Sequence, residues 1–381
     1  MPLTARQSAG SYAPANEPED FHSTLAGKRI LITGAGGWIG SALARTLSAL
    51  PPEQRLASMV LLDASEGNLY AIDAALRAHA PATPHTSILG SVTDAALLAE
   101  LFSAHQPQIV FHAAAYKHVP LLEANPLAAL SVNALGTQTL VTAAHRANTE
   151  TFVLLSTDKA ANPCGILGAS KRIAEIAVLN ASGAARLQCK ALRLVNVLGS
   201  PGSVLPLWQE QIARGGPLTV TDARAERYFV SLEEAVALLF TTVNAALPAG
   251  LYLPHIGAPV RILDLARQCL AEHASTAEIV FTGLRAGEKL TESLLAAQEQ
   301  YATENAPGTA HPSLRRVQTP LPPRDFFLAT MHALQAALAR RDASAALDCM
   351  RQLVPGYPQA AHYSARKGAK VAPSALTGVR A

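Results

Sequence analysis

The sequence predicts an α/β protein: a doubly wound parallel sheet followed by a smaller C-terminal lobe that binds the substrate. Short apolar runs alternate with amphipathic or buried helical patterns, which is typical of a parallel sheet covered by helices. A Gly-rich turn joins the first strand to the first helix at residues 34–40. After about Val197 the alternation loosens and Pro and Gly interrupt the chain, which indicates a separate lobe.

The apolar runs and the patterns between them place the elements of this sheet. Six runs are predicted as strands: Arg29–Thr33, Met59–Asp63, Ser87–Leu89, Gln108–His112, Thr151–Ser156 and Cys189–Val195. The clearest helices between them are Ile39–Leu50, Asp94–His105 and Pro126–Ala147.

The same patterns divide the chain. We expect a disordered lead-in at 1–25, a nucleotide-binding domain at 26–197 and a substrate-binding lobe at 198–300. Within the lobe, helix 232–246 is expected to return and pack on the sheet. A helical extension at 301–354 and a disordered tail at 355–381 complete the expected organisation.

Composition narrows the functional class. Hydrophobic residues are 49% of the chain and the net charge is +3, so a large core forms and a nucleic-acid partner is not expected. The cysteines, Cys164, Cys189, Cys269 and Cys349, lie far apart, which predicts neither a metal site nor a disulfide framework. No run approaches the roughly 18 to 20 apolar residues of a membrane helix. A cytoplasmic protein without a membrane span is expected.

The Gly-rich turn predicts a dinucleotide site. Its glycines follow the spacing G-x-x-G-x-x-G between a strand and a helix. Glycine permits the tight turn and lets backbone N–H groups approach a pyrophosphate at the helix N-terminus. Together these features predict a Rossmann-type domain. The candidate contacts in the turn are Gly34, Gly37, Trp38, Ile39 and Gly40.

The end of the second strand favours NAD over NADP. Asp63 stands there, where a carboxylate accepts hydrogen bonds from ribose hydroxyls and repels a 2′-phosphate. Ser65 follows as a further candidate, and no Arg lies close by in Ala64–Glu66. After the third strand, Val92 is a candidate for contact with the adenine ring, although a core position would also suit a valine.

Further motifs identify a family. They are, in order, Phe111–Pro120, Asn133–Thr137, Ser156–Ala160, Asn196–Ser200, Arg227–Phe229 and Gly283–Lys289. With them the chain resembles the extended short-chain dehydrogenase/reductase superfamily. Within it, the chain is most similar to the polysaccharide-biosynthesis branch of UDP-N-acetylglucosamine 4,6-dehydratases. The resemblance runs from about Lys28 to Leu295.

The resemblance implies a reaction and its residues. The sugar's 4-hydroxyl is oxidised by the nicotinamide, a base removes the proton on carbon 5, water leaves from carbon 6, and the hydride returns to carbon 6. By resemblance, Lys159 is the base, Asp158 the acid for the leaving hydroxyl, and Thr157 the hydrogen-bond partner of the 4-oxygen. Lys171 would hold the nicotinamide ribose and favour neutral Lys159 as a nearby cation.

The resemblance also implies binding residues. On the cofactor side they are Ala113, Ala114, Lys117, Lys171 and Val197. On the side of the UDP-sugar they are Lys117, Asn196, Val204, Arg227, Arg285 and Glu288. The two arginines suit the diphosphate because the planar guanidinium matches phosphate geometry. For His118, a catalytic role and a packing role remain equally open.

The chain also departs from the family. Leu167 occupies the position of the superfamily's catalytic Tyr, and Pro201 replaces an Arg that usually follows Gly-Ser. These two departures leave open a nucleotide-sugar-binding subunit without turnover. An epimerase that returns hydride to the other face of carbon 4 is a second alternative, against which the missing Tyr and the Asp158–Lys159 pair argue. A dehydratase for a dTDP- or GDP-linked sugar is a third. Members of the superfamily commonly pair through helices, which implies a homo-oligomer.

Overall fold

The computed structural model describes residues 24–79, 83–182, 186–244, 246–302 and 312–358. Its strands, in chain order, are β1 Arg29–Thr33, β2 Ser58–Asp63, β3 His85–Leu89, β4 Ile109–His112, β5 Thr151–Thr157, β6 Gln188–Leu194, β7 Asn196–Val197, β8 Leu218–Val220, β9 Glu226–Arg227, β10 Phe229–Val230, β11 Gly250–Pro254, β12 Val260–Arg261, β13 Ile279–Phe281, β14 Gln300–Tyr301 and β15 Leu314–Gln318.

The α-helices are α1 Trp38–Ser48, α2 Glu66–His79, α3 Ala95–His105, α4 Val119–Ala124, α5 Pro126–Ala129, α6 Thr137–Arg146, α7 Ile166–Ala181, α8 Val204–Ala213, α9 Leu232–Val243, α10 Ile262–Glu272, α11 Arg324–Ala339 and α12 Ala343–Leu353. Short 3-10 turns lie at Pro52–Gln54 and Asp158–Ala160, and a π-helical turn lies at Leu130–Gly136.

A nine-stranded sheet organises the described part of the chain, in the order β14-β15-β11-β6-β5-β4-β1-β2-β3. Its strands from β3 to β11 are parallel, and β15 and β14 run antiparallel at the edge. The chain changes direction of winding between β1 and β4. In such a sheet a crevice opens outside the carboxyl ends of the strands at this point. The predicted Rossmann-type fold class is confirmed.

Helices cover both faces of the sheet. On one face α1 and α9 bury Leu43, Leu47 and Leu239 against β1 and β6. On the other face α3, α6 and α7 bury a second apolar layer. The C-terminal helices α11 and α12 pack on α7 and the π-helical turn. Helix α7 is thus enclosed on several sides and offers a fixed platform beneath the crevice.

The smaller lobe is built from short paired strands and two helices. β8 pairs with β13 and β9 with β12, while β10 pairs with β7 beside the main sheet. Trp208 on α8 is fully buried in the lobe core, and its indole N–H donates to the Thr219 carbonyl at 2.8 Å. The lobe stands over the carboxyl ends of the strands because β7 leads into it directly from β6.

Two parts of the expected organisation differ from the structure. Strand β11 comes from the region assigned to the lobe, yet it pairs with β6 in the main sheet. The region assigned to a helical extension begins with β14 and β15, which extend the sheet. Strand β15 reads Leu-Arg-Arg-Val-Gln and buries only Leu314 and Val317. Because polar residues interrupt its apolar positions, a search for apolar runs does not predict this strand. The predicted lead-in and tail lie outside the described residues, except for 24–25 and 355–358.

The helical run Pro126–Arg146 is the one stretch of the described chain that is long and apolar enough to cross a membrane. Half of it is buried inside the protein, where it packs between α3 and α7. A core helix of a globular protein has the same length and composition. The run therefore does not establish a span, and the expected absence of one stays a prediction.

Lys190 on β6 generates a prediction about stability. Its ammonium is buried, donates to the Asn244 carbonyl at 2.8 Å, and has its pKa lowered by burial from 10.5 to about 8. Between these pH values the unfolded chain binds more protons, so stability rises with pH. We expect this residue to add roughly 2 to 3 kcal/mol across that range.

Urea unfolding at several pH values from 8 to 10.5 measures this effect. Lys190→Met should show a rise that is smaller than that of the wild type by this amount. Lys28→Met, which removes a partly exposed ammonium paired with Glu150, should keep it. Equal slopes for the wild type and Lys190→Met would contradict the assignment.

Candidate active site

A cavity of about 900 Å³ lies at the carboxyl ends of β1, β4, β5 and β6, under the smaller lobe. Most of the residues predicted from the sequence line it: Gly34, Gly37, Trp38, Ile39, Gly40, Ala113, Lys117, Thr157, Lys159, Lys171, Asn196, Val197, Val204, Arg227, Arg285 and Glu288. The structure places five predicted residues outside the lining: Asp63, Ser65, Val92, Ala114 and Asp158. The distant motifs of the chain therefore converge on one space.

The Gly-rich turn forms one wall of this cavity. Gly34 has a φ of +68°, and a Cβ there would stand 2.6 Å from the Ala114 backbone nitrogen. A Cβ on Gly40 would collide with the Gly34 carbonyl oxygen. Helix α1 begins at Trp38 without a side-chain cap, so N–H groups of its first turn are free to bind an anion. Ala114 contributes here as the backbone against which the turn closes.

Asp63 holds the Gly-rich turn from behind. One of its carboxylate oxygens accepts from the Gly36 amide at 2.9 Å and the other from the Ser65 amide at 2.8 Å. Its predicted contact with a ribose stays a prediction. Val92 is buried and lies close to Gly136, which is the packing role that the sequence left open beside the adenine contact.

A buried histidine connects β1, β4 and the helix behind them. Thr137 Oγ1 donates to the Asn133 carbonyl at 2.6 Å, so it accepts from His112 Nε2 at 2.8 Å. His112 Nδ1 must then accept from Thr33 Oγ1, 2.7 Å away. Burial, with a smaller contribution from Lys171, lowers the His112 pKa to about 3. The ring is therefore neutral and acts as a structural bridge.

Asn133, in the π-helical turn, positions the loop that carries Lys117. Its Oδ1 accepts from the Tyr116 amide at 2.8 Å, and its Nδ2 donates to the Tyr116 carbonyl at 3.0 Å. Burial lowers the Lys117 pKa. Burial, followed by the charge of Lys117, lowers the His118 pKa. Both side chains face the cavity, so burial disfavours the charged form of two nitrogen groups at its wall.

The Thr157–Lys159 stretch lies where β5 enters a 3-10 turn. Asp158 is fully buried, and its Oδ1 accepts from Thr157 Oγ1 at 2.9 Å and from Lys159 Nζ at 3.0 Å. Lys159 Nζ also donates to Asn196 Oδ1 at 3.3 Å. The Asp158 carboxylate thus stands behind Thr157 and Lys159 and orients both, while the amine and the hydroxyl reach the cavity.

Lys171 points from α7 toward the end of β5. Its Nζ donates to the Leu155 carbonyl at 2.6 Å, and burial, partly opposed by Glu175, lowers its pKa to about 8. Leu167, one helical turn earlier, is buried at the cavity wall. The position that the superfamily gives to a phenol is therefore apolar, and Lys171 is the titratable group closest to it along the helix.

The arginines differ in their engagement. The Arg227 guanidinium donates to the carbonyls of Lys289 and Leu290 at 2.6 and 2.7 Å. Arg285 is more than half exposed and pairs with Glu288 at 3.2 Å. An anion in the cavity can reach Arg285 directly, whereas it must share Arg227 with the carbonyls.

Sequence reasoning does not single out Glu292, which approaches Lys159 in the structure. Glu292 lies 3.9 Å from Lys159 Nζ and 3.2 Å from Lys289 Nζ. It stands beyond the Gly283–Lys289 motif, and no spacing rule indicates that it folds back to Lys159.

His118 lies against Gly202, where a Cβ would collide with the ring. Burial raises the pKa of Cys164, which argues against a reactive thiolate.

Comparison with known proteins agrees with this arrangement. Residues 30–312 match the family model described as polysaccharide biosynthesis protein. The chain belongs to this family.

Two curated relatives and one solved structure illustrate the similarity. Probable polysaccharide biosynthesis protein EpsC of Bacillus subtilis is 39% identical over 76% of this chain and 49% of its own length. The inverting UDP-N-acetylglucosamine 4,6-dehydratase of Campylobacter jejuni is 31% identical over 72% of this chain and 80% of its own. The X-ray structure of Pen from Bacillus thuringiensis has a TM-score of 0.69 and 25% identity, covering 79% of this chain and 92% of that one.

The chain spans about half the length of the first curated relatives it matches, EpsC and CapD of Staphylococcus aureus. Other family relatives carry the name UDP-glucose 4-epimerase. This member of the polysaccharide biosynthesis family is therefore similar both to nucleotide-sugar dehydratases and to epimerases.

The two hydrogen bonds between Asn133 and the Tyr116 backbone generate a prediction. Asn133→Ala removes both hydrogen bonds to the Tyr116 backbone and the bond from the buried Asn133 amide to Ser170 Oγ, which costs about 2 kcal/mol of unfolding free energy. Hydrogen exchange at the Tyr116 amide should accelerate, as measured by mass spectrometry of the 111–120 region. Asn125→Ala removes one bond to the Leu121 carbonyl near the surface and serves as the control. Unchanged exchange in Asn133→Ala would show that other contacts hold the loop.

Proposed function

We propose that this protein is an NAD-dependent 4,6-dehydratase that converts UDP-N-acetylglucosamine to a UDP-4-keto-6-deoxy sugar for surface-polysaccharide biosynthesis. The observation that carries the proposal is the Lys159 amine at the cavity wall, held by Asp158 and Asn196 beside the Thr157 hydroxyl. An elimination next to a ketone needs a base of this kind facing the sugar. The dehydratase relative supports the same chemistry.

The cavity wall fits NAD on the side of β1. The Gly-rich turn leaves a cradle that a Cβ would fill at Gly34 or Gly40, and the uncapped start of α1 offers N–H groups to a pyrophosphate. Asp63, behind the turn, suits a ribose without a 2′-phosphate. When bound, NAD would take the hydride from carbon 4 and later return it to carbon 6. Ala113, Lys117, Lys171 and Val197 would complete its site.

The 4-hydroxyl must lose its proton without a tyrosine. Thr157 hydrogen-bonds the 4-oxygen. Lys171, whose pKa is lowered to about 8 by burial, accepts the proton of the 4-hydroxyl. Because part of the Lys171 population is neutral near pH 8, this amine can act as an acceptor where Leu167 cannot. It releases its bond to the Leu155 carbonyl to do so.

Elimination then falls to Lys159. Its amine takes the proton from carbon 5, whose acidity the neighbouring ketone raises. The same group, now protonated, is the donor that faces the cavity and can protonate the departing hydroxyl. Asp158 orients Lys159 in this arrangement. The acid role that the resemblance implies for Asp158 requires its carboxyl to turn out of its buried position.

The nucleotide end of the substrate fits the lobe side of the cavity. Arg285 and Arg227 supply positive charge for a diphosphate, and Glu288 accepts from the uridine ribose. Asn196 and Val204 line the space between this end and Lys159. A homo-oligomer is part of the proposal on the strength of the family resemblance, and a cytoplasmic location on the strength of the separated cysteines.

The substrate is tested directly by mass spectrometry. Purified protein incubated with NAD and UDP-N-acetylglucosamine should yield a UDP-sugar lighter by one water molecule. An unchanged mass with altered sugar stereochemistry would identify an epimerase instead. Binding without any product would leave a silent subunit or a different sugar nucleotide, and parallel incubations with dTDP- and GDP-linked hexoses separate these two.

Lys159→Met tests the role of the amine. The variant should lose dehydration by at least about a hundredfold, the usual contribution of a general base, while NAD binding measured by calorimetry stays within a fewfold of wild type. Asp158→Asn should lose less, because it keeps the side chain's shape. Full activity of Lys159→Met would remove the assignment.

A further inference from the structure

A second carboxylate, besides that of Asp158, faces Lys159. Glu292 is buried, with Oε1 3.9 Å from Lys159 Nζ and Oε2 3.2 Å from Lys289 Nζ. Its Oε2 makes this ion pair but no hydrogen bond of acceptable geometry. A buried carboxylate is costly unless cations compensate it. The side chain is therefore shared between the two lysines.

Glu292 belongs to the segment that carries the predicted nucleotide contacts Arg285 and Glu288. β9 anchors this segment: the Glu226 amide donates to the Leu290 carbonyl at 3.0 Å, and Glu226 forms a bridge with Thr291. The Arg227 guanidinium adds bonds to two carbonyls of the same stretch. The nucleotide end and the carboxylate near Lys159 are therefore parts of one supported piece of backbone.

The same segment makes a second contact with the turn after β5. Lys289 Nζ donates to the Ala161 carbonyl at 2.9 Å, two residues beyond Lys159. The lobe thus contacts the Lys159 turn in two ways: the Glu292 carboxylate faces the Lys159 amine, and the Lys289 ammonium binds the backbone of the turn. A movement of the segment on ligand binding would act on Lys159 through both contacts.

We propose that Glu292 is a positioning residue that holds the Lys159 ammonium and sets the pH at which it gives up its proton. Through it, the segment that binds the nucleotide controls the amine that acts on the sugar. The catalytic meaning rests on the proposed function, whereas the electrostatic coupling does not.

The charges around Lys159 and Glu292 define the direction in which the deprotonation of Lys159 should shift. Among the described residues, Asp158 faces Lys159, Lys289 and Cys164 face Glu292, and the charge of Glu123 also acts on Cys164. A carboxylate close to an ammonium favours its charged form. Removing the Glu292 charge should let Lys159 deprotonate at lower pH, and removing Lys289 should have the opposite effect.

Competitive labelling of lysines with acetic anhydride, read by peptide mass spectrometry over a range of pH, measures this without any substrate. In Glu292→Gln the midpoint for Lys159 should fall by about one pH unit, and in Lys289→Met it should rise. Glu226→Gln, which removes a carboxylate paired with Arg261 in the same lobe, should leave it unchanged.

If folded Glu292→Gln has the same Lys159 labelling midpoint as the wild type, the proposal is overturned. A purely structural role of Glu292 would change the stability of the protein but not this midpoint. Should Glu292→Gln fail to fold, Lys289→Met decides: an upward shift supports the coupling and no shift overturns it. If wild type produces the dehydrated sugar, the acidic limb of its kcat against pH should move in the same directions. Absence of that product would count against the proposed function and leave the labelling result standing.

Discussion

A buried ion network holds together the elements on which the site depends. Glu175 on α7 accepts from Ser156 Oγ at 2.7 Å and from the Arg193 guanidinium at 2.8 Å. Arg193 on β6 also binds Glu299 at 2.6 Å, and Arg172 binds Glu175 at 3.0 Å. Burial alone would raise the pKa of Glu175, but the two arginines outweigh it and lower that pKa. Since loss of one partner would strand a buried charge, the network constrains α7, β5, β6 and the segment before β14 together.

This constraint explains why the site can be built without a tyrosine. Ser156 precedes Thr157 directly, and Glu175 lies one helical turn from Lys171, so the network fixes the two elements that carry the proposed reacting groups. With the backbone held, Leu167 can fill its position as a packing residue without moving Lys171 or Thr157. The distances within the Thr157–Lys159 cluster come from local geometry and from Asn196, not from the missing phenol.

The sequence predicts the fold well where apolar runs are buried on both faces, as in β1, β2 and β5. It fails at β15, where two consecutive arginines interrupt the apolar pattern, and at β11, because the Pro- and Gly-rich stretches around it indicate a separate lobe. In the site, motifs carried by consecutive residues were sufficient to collect Gly34, Lys159 and Arg285 around one cavity. The burial of Asp158 and the approach of Glu292 depend on tertiary packing, which no spacing rule contains.

The central claim is that a hydride leaves carbon 4 and returns to carbon 6 of the same sugar while Lys159 drives the elimination. The most direct measurement is the reaction of UDP-N-acetylglucosamine carrying deuterium on carbon 4, with the product examined by NMR. The account predicts a dehydrated sugar with deuterium on carbon 6. Deuterium that remains on carbon 4 of a sugar that has lost no water would contradict it.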